Sequence, residues 1–248
     1  MPRIDQYLYK NKYCRSRSLG AKLVTAGYVY VNGTECLKPS FEVSEGDTVE
    51  IRENPLTRFV SRGGLKLQEA LTQFNISPKG LICIDIGAST GGFTDCLLQN
   101  GAKKVYAVDS GTNQLHPSLK ENRCVVSLEN INARFLDESM VPPCPLVVMD
   151  VSFISQKLLY PAVNKVLTEN GVFLSLIKPQ FEVGRDAIGS GGIVRNEKAA
   201  LACIEKLKED GLKWGLKMEK VIPSPITGGD GNKEYLALFR KTKRGEEA

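Results

Sequence analysis

At 248 residues and 42% hydrophobic content, the chain is long enough to bury one full α/β core and still supply a small accessory domain, so two domains are expected. The formal net charge of +5 is too mild to define a polyanionic partner by itself, but it is concentrated: between Met1 and Lys22 six cations, Arg3, Lys10, Lys12, Arg15, Arg17 and Lys22, stand against the single Asp5. The first residues carry charge throughout with no apolar run, no stretch approaches the ~18 apolar residues of a membrane span, and seven irregularly spaced cysteines without a C-x-x-C pair favour neither a disulfide framework nor a zinc site, so a reduced cytoplasmic setting with no membrane and no metal is expected.

From the N-terminus, Ile4, Tyr7 and Leu8, then Leu19, Leu23 and Val24, recur at helical spacing and predict two short helices, interrupted around residues 11–16. Residues 27–33 alternate as a strand and close on Asn32-Gly33, a strong hairpin signal. Val43 and residues 48–51, separated by Glu45-Gly46-Asp47, complete a small α+β unit over residues 1–52, and Asn54-Pro55 marks a linker over 53–60. Over 61–248 strands alternate with helices, the pattern of a parallel doubly wound sheet. Seven strands are predicted near 81–86, 104–109, 124–128, 146–150, 172–178, 218–222 and 234–240, with helices over 65–74, 94–99, 156–167 and 197–208. The last two strands leave no room for a crossover helix and should form an antiparallel edge hairpin. The charged run 240–248 is expected to be disordered.

The first strand of that sheet carries Asp85 two residues before the first glycine and feeds Gly87-Ala88-Ser89-Thr90-Gly91-Gly92-Phe93, a glycine-rich turn before a helix, which lets backbone approach a ligand closely. A dinucleotide fingerprint would need glycine at Ser89 and targets a pyrophosphate. Asp85 instead sets a carboxylate near the turn, suited to a cationic amino-acid moiety, and Asp109, 24 positions later at the next strand's end, is placed to accept from ribose hydroxyls. Together they predict a site for S-adenosylmethionine. Asn132 is placed either to face the adenine edge or to cap a turn.

Methyl transfer is an in-line displacement, so the protein must align the acceptor and deal with its proton. The fourth strand ends Val148-Met149-Asp150-Val151-Ser152-Phe153, without the Asn/Asp-Pro-Pro-Tyr/Phe loop of base-nitrogen methylation, and Pro143-Cys144-Pro145 precedes the strand, where a cytosine-C5 nucleophile would follow it. The only histidine, His116, lies in a polar loop. What remains is Lys66, Asp150, Lys178 and Glu234, three of them at strand ends, where α/β ligands bind. A lysine with a neighbouring cation or a buried ammonium becomes a usable base. Lys178 is therefore expected to deprotonate or orient a ribose hydroxyl, with Asp150 positioning it and Lys66 with Glu234 completing the network.

At these residues the sequence resembles the TlyA-type, or hemolysin A, family of rRNA 2′-O-methyltransferases within the FtsJ-like group, through Ser61-Arg62-Gly63-Gly64-x-Lys66, Asp85-x-Gly87-x-Ser89-x-Gly91-Gly92-Phe93-Thr94-Asp95, Asp150-Val151-Ser152-Phe153-Ile154-Ser155, Lys178-Pro179-Gln180-Phe181-Glu182 and Ser224-Pro225-Ile226-Thr227-Gly228. The resemblance implies a seven-strand Rossmann-like sheet, a Lys-Asp-Lys-Glu tetrad at Lys66, Asp150, Lys178 and Glu234, and cytidine ribose methylation in ribosomal RNA. The N-terminal unit resembles an S-four-type RNA-binding domain at Arg3, Asp5, Leu8, Ser16, Arg17, Ala21, Gly27, Val29, Val31, Asn32 and Gly33. Arg3, Arg15, Ser16, Arg17 and Lys22 are its candidate RNA contacts. Arg62, Arg185 and Arg195 would extend that track, and 184–192 reads either as a lid or as a plain surface loop. Ribosomal RNA or a ribosomal subunit is the expected partner. The rival readings are a catalytically inactive RNA-binding protein, a membrane-lytic hemolysin lacking any insertion segment, and a NAD-dependent oxidoreductase, which Ser89 disfavours.

Overall fold

A computed structural model describes all residues except 15, 53, 55, 56, 185, 186 and 243–248. The candidate RNA contact Arg15, the track residue Arg185 and most of the expected C-terminal tail lie outside the described residues. Between Phe59 and Val60 the chain divides into two compact units.

In the first unit, α1 (Ile4–Lys10) and α2 (Arg17–Thr25) bury Ile4, Leu8, Leu23 and Val24 against a three-stranded sheet. That sheet comprises β1 (Val29–Val31), β2 (Thr34–Glu35) and β3 (Val49–Ile51), in the order β2-β1-β3. Asn32 and Gly33 both take positive φ, 51° and 75°, and join β1 to β2 as the tight hairpin that the sequence signalled. Val43, expected to join a strand, lies outside all three; its amide donates to the Pro2 carbonyl, and its side chain still enters the core.

The second unit begins with α3 (Gly63–Gln73), followed by β4 (Ile82–Ile86), α4 (Gly92–Gln99), β5 (Lys104–Val108), the short α5 (Pro117–Lys120) and β6 (Val125–Leu128). Then come β7 (Cys144–Met149), α6 (Tyr160–Val166), β8 (Leu167–Ile177), α7 (Glu197–Leu212), β9 (Leu216–Pro223) and β10 (Tyr235–Lys241). The seven strands run β6-β5-β4-β7-β8-β10-β9; β4 through β8 are parallel, and β10 is antiparallel to both β8 and β9. The edge hairpin is thus present, with its second strand, β10, inside the sheet. The predicted helix over 156–167 is shorter: residues Gln156–Leu158 form a single 3₁₀ turn, and Pro161 opens α6, a position where its missing N–H costs nothing. β8 consequently starts at Leu167, earlier than expected, and pairs there with Cys144.

From β4 the chain steps outward one way through β5 and β6, then returns beside β4 and proceeds the other way through β7 and β8. The reversal leaves a crevice at the carboxyl ends of β4 and β7, the place where open α/β sheets bind ligands. Below it lies a core of Ile84, Ile86, Val147, Met149, Tyr160, Phe173 and Phe239, all fully buried. Among the described residues no helix is long and apolar enough to cross a membrane, and no group of three or more His, Cys, Asp or Glu is arranged to hold a metal ion.

Candidate active site

A cavity of about 370 Å³ occupies the crevice. One wall is the turn after β4, represented by Gly87 and Ser89; a second is Val108, Asp109 and Ser110 after β5; a third is Ile131, Asn132 and Ala133; and the fourth runs from Asp150 through Ile154 after β7. Gly87 has φ 81°, and a Cβ there would collide with the Asp150 carbonyl, so this position requires glycine both for its conformation and for the approach of the two loops. Ser89 is also left-handed, at φ 48°. Its amide donates to Asp109 Oδ2 at 2.7 Å, while Oδ1 of the same carboxylate accepts from the Gly111 amide at 2.7 Å. Asp109 therefore latches the glycine turn while facing the cavity.

Of the other turn residues, Ala88, Gly91, Gly92 and Phe93 are buried and Thr90 is exposed, none of them among the cavity-lining residues. Asp85 does not reach the cavity either. It is fully buried, and its Oδ2 accepts from the Thr94 hydroxyl at 2.7 Å, fastening the start of α4, while Oδ1 has no hydrogen-bond partner. Burial pushes its carboxyl up to about 7, against the lowering effect of the Thr94 hydrogen bond and with help from the charges of Asp150 and Asp109. Asp85, expected beside the ligand's cationic group, is thus buried beneath the turn and outside the residues that line the cavity. Asn132 accepts from the Arg134 amide at 3.1 Å, the turn-capping alternative, and also lines the cavity.

The four charged candidates meet as two ion pairs. Lys178, just past β8, lies 2.6 Å from Asp150 Oδ1 and donates to the Ser152 hydroxyl at 2.8 Å. The Asp150 contact is an ion pair without hydrogen-bond alignment. Lys66 on α3 donates to Glu234 at 2.5 Å, and both side chains are nearly sealed from water. The sheet brings the pairs to one edge: Tyr235 is registered with Ile177, so Glu234 and Lys178 are the next residues out on neighbouring antiparallel strands. α3 is drawn in by small residues, since a Cβ at Gly92 would strike both the Ser61 hydroxyl and the Gly64 amide. Arg62, at the head of this helix, is exposed.

Several participants went unnoticed in the sequence. Ser152 holds Lys178, and Phe153 is 90% exposed at φ 65°, its ring 5.1 Å from that of Phe181. Glu182 accepts from the Ser155 hydroxyl at 2.5 Å and the Gln156 amide at 2.9 Å, pinning the loop after β8 to the loop after β7. These residues fall within the motif segments, so a signal was present; Gln114, another wall residue, gave none. None of the seven cysteines is in a disulfide, and burial pushes the thiol of Cys144 up to about 11, which disfavours the thiolate that a nucleophile needs.

In the first unit, Ser16 caps α2 by accepting from the Leu19 amide at 3.1 Å. Arg3 and Arg17 both reach the buried Asp5, and Lys22 is exposed.

A glycine turn and strand-end acid opening onto a lysine–aspartate pair, on a seven-strand sheet with this order, define a methyltransferase. The FtsJ-like methyltransferase profile matches residues 59–241 and the S4 domain profile residues 2–49, and the chain belongs to the FtsJ-like methyltransferase family. Its full-length relatives include Hemolysin A of Brachyspira hyodysenteriae, 42% identical over 96% of this chain and 99% of that protein. Another is the 16S/23S rRNA (cytidine-2′-O)-methyltransferase TlyA of Mycobacterium tuberculosis, 38% identical over 96% of this chain and 89% of that one. A solved hemolysin-type chain from Streptococcus thermophilus superposes with a TM-score of 0.76 at 42% identity, covering 98% of this chain and 89% of its own.

Proposed function

We propose that this chain transfers a methyl group from S-adenosylmethionine to the ribose 2′-hydroxyl of a cytidine in ribosomal RNA. One observation carries the reading: the cavity that begins at the glycine turn ends on Asp150, whose carboxylate holds Lys178.

The walls suit the cofactor. Ile86, Val108, Ile131 and Leu159 offer apolar faces to a base, and Asn132 an amide edge. Asp109 already accepts from two amides, yet a carboxylate has about four acceptor sites, which leaves room for ribose hydroxyls. The bound cofactor supplies an electrophilic methyl group on a cationic sulfur.

The chain's own residues treat the acceptor. Lys178 orients the 2′-hydroxyl as it now holds the hydroxyl of Ser152; the ammonium first gives a proton to solvent, and the resulting amine takes the hydroxyl proton as the oxygen–methyl bond forms and the sulfur–methyl bond breaks. Asp150 fixes the lysine from the cavity side, and the Lys66–Glu234 pair braces the neighbouring strand end. Phe153, exposed beside them, offers a ring face to the acceptor's base. Arg3, Arg17 and Lys22 of the S4 domain, with Arg62 of the larger unit, supply phosphate contacts on a ribosomal subunit in the cytoplasm.

The test is transfer from labelled S-adenosylmethionine to purified ribosomal subunits, with alkali-resistant ribose positions mapped for wild type and Lys178→Ala. Wild type should mark a cytidine ribose. The variant should lose on the order of 10²–10⁴-fold in rate while S-adenosylhomocysteine still raises its Tm. Full activity in the variant would remove the role of Lys178, and no transfer by wild type to either subunit would overturn the RNA reading.

A further inference from the structure

Asp5 is the acidic exception on the basic segment, and its placement is unlike that of a surface charge. It sits in α1 with only 3% of its surface exposed, and its carboxylate collects three donors. Arg17 Nε donates at 2.9 Å, the Gln6 amide donates at 2.9 Å, and Arg3 is the third donor residue, giving Nη2 to Oδ2 at 3.4 Å with its Nε 3.3 Å from Oδ1. The two arginines come from opposite sides, one preceding α1 and the other opening α2. α2 packs tightly here, because a Cβ at Gly20 would lie 2.9 Å from the Asp5 carbonyl. Burial pushes the Asp5 carboxyl up, but the Arg17 hydrogen bond and the charges of Arg17 and Arg3 outweigh it and hold it below its ordinary value, so the acid is ionised at neutral pH.

The guanidinium geometry gives the arrangement its direction. Arg17 is engaged through Nε, and among the described residues its terminal nitrogens have no partner; its side chain is 49% exposed and that of Arg3 45%. A guanidinium held by Nε presents its two terminal nitrogens outward as a fork, the geometry that grips a phosphate bidentately. We infer that Asp5 is a positioning residue for RNA: from inside the S4 domain it fixes Arg17 as a preformed phosphate fork and holds Arg3 beside it as a second placed cation. An arginine already held in one rotamer loses less side-chain freedom on binding.

The inference rests on the RNA reading above and makes a prediction opposite in sign to simple charge. Asp5→Asn makes the chain more basic, so if Asp5 merely neutralised its neighbours, RNA affinity would rise. Preorganisation instead predicts a fall of about tenfold and a shallower dependence of log affinity on log salt, by about 0.7–0.9 for each phosphate that the two arginines no longer neutralise. Arg17→Lys keeps the charge but cannot hold Asp5 and fork a phosphate together, and should lose severalfold. Binding of wild type and both variants to purified ribosomal subunits is measured across a salt series, with hydrogen exchange in α2 reporting whether the domain remains folded. Unchanged or tighter binding by a folded Asp5→Asn overturns the inference; if that variant unfolds the domain, unchanged binding by Arg17→Lys overturns it. Failure of wild type to bind at all sinks the RNA reading and this inference with it, whereas wild-type binding with undiminished variants sinks the inference alone.

Discussion

Lys66 and Glu234 in the larger unit are both sealed, with side-chain exposures of 10% and 3%, whereas in the smaller unit Asp5 is equally sealed at 5% but its arginine partners stand half in water. The difference matches the roles proposed for each cluster. A network that holds a reacting hydroxyl benefits from a dry setting, where electrostatic interactions are strong and groups stay in place. A surface that grips phosphates must leave its cations reachable, and burying only the acid aims them without hiding them. Stability follows the same division: removing one member of a buried pair strands a charge, while half-exposed pairs contribute little to folding.

The comparison breaks most visibly at Glu234→Ala, which leaves the Lys66 ammonium buried without its partner. A loss of roughly 3–5 kcal/mol is expected, seen as a Tm lower by several degrees, together with lost methyl transfer. A wild-type Tm in that variant would show that the pair is more hydrated than its geometry indicates. A smaller effect attaches to Asp85. Its carboxyl, at about 7 in the folded protein against an ordinary 3.8, keeps its proton where the unfolded chain has lost it. The group's contribution to stability therefore declines as pH rises from about 4 to 7, and the penalty is complete above that. Asp85→Asn should flatten this dependence, so its Tm gains on wild type as melting curves move from pH 5 to pH 8; a constant difference would place the charge of Asp85 in a better-solvated setting. The smallest effect belongs to the S4 domain. Ser16→Ala removes the cap of α2 and should cost about 1 kcal/mol, confined to faster amide exchange in α2, with S-adenosylhomocysteine stabilisation unaltered. An equal loss of protection in the sheet of the larger unit would show that the two units unfold together.

Much of this was legible in the sequence because it rests on short-range signals. Asn32-Gly33 specified a hairpin, and the lack of residues for a crossover between β9 and β10 specified an antiparallel edge. The alternation of strands and helices placed Asp150, Lys178 and Glu234 at strand ends, where the sheet gathers them. The expected pairing of Lys178 with Asp150 and of Lys66 with Glu234 agrees with the two ion pairs found, while the register that sets Glu234 beside Lys178 needed the strand order, which no periodicity encodes. Asp85 and Asp109 look alike in sequence, each an acid at a strand's end. They differ in three dimensions because α4 covers the first and the cavity opens on the second. Gln114 and Ser110 come from irregular segments between elements, where neither spacing nor composition marks a wall.

Lys66 and Glu234 are 168 residues apart, and Glu234 borders a strand that inserts between two others. During synthesis the glycine turn, its latching aspartate and the Lys178 pair all emerge before β10 exists. Until β10 enters, β8 keeps an open edge, the kind of unpaired backbone that invites association with other chains. Lys66 thus gains its partner only after β10 has closed the sheet, and the interval before closure is when this chain is most exposed to aggregation.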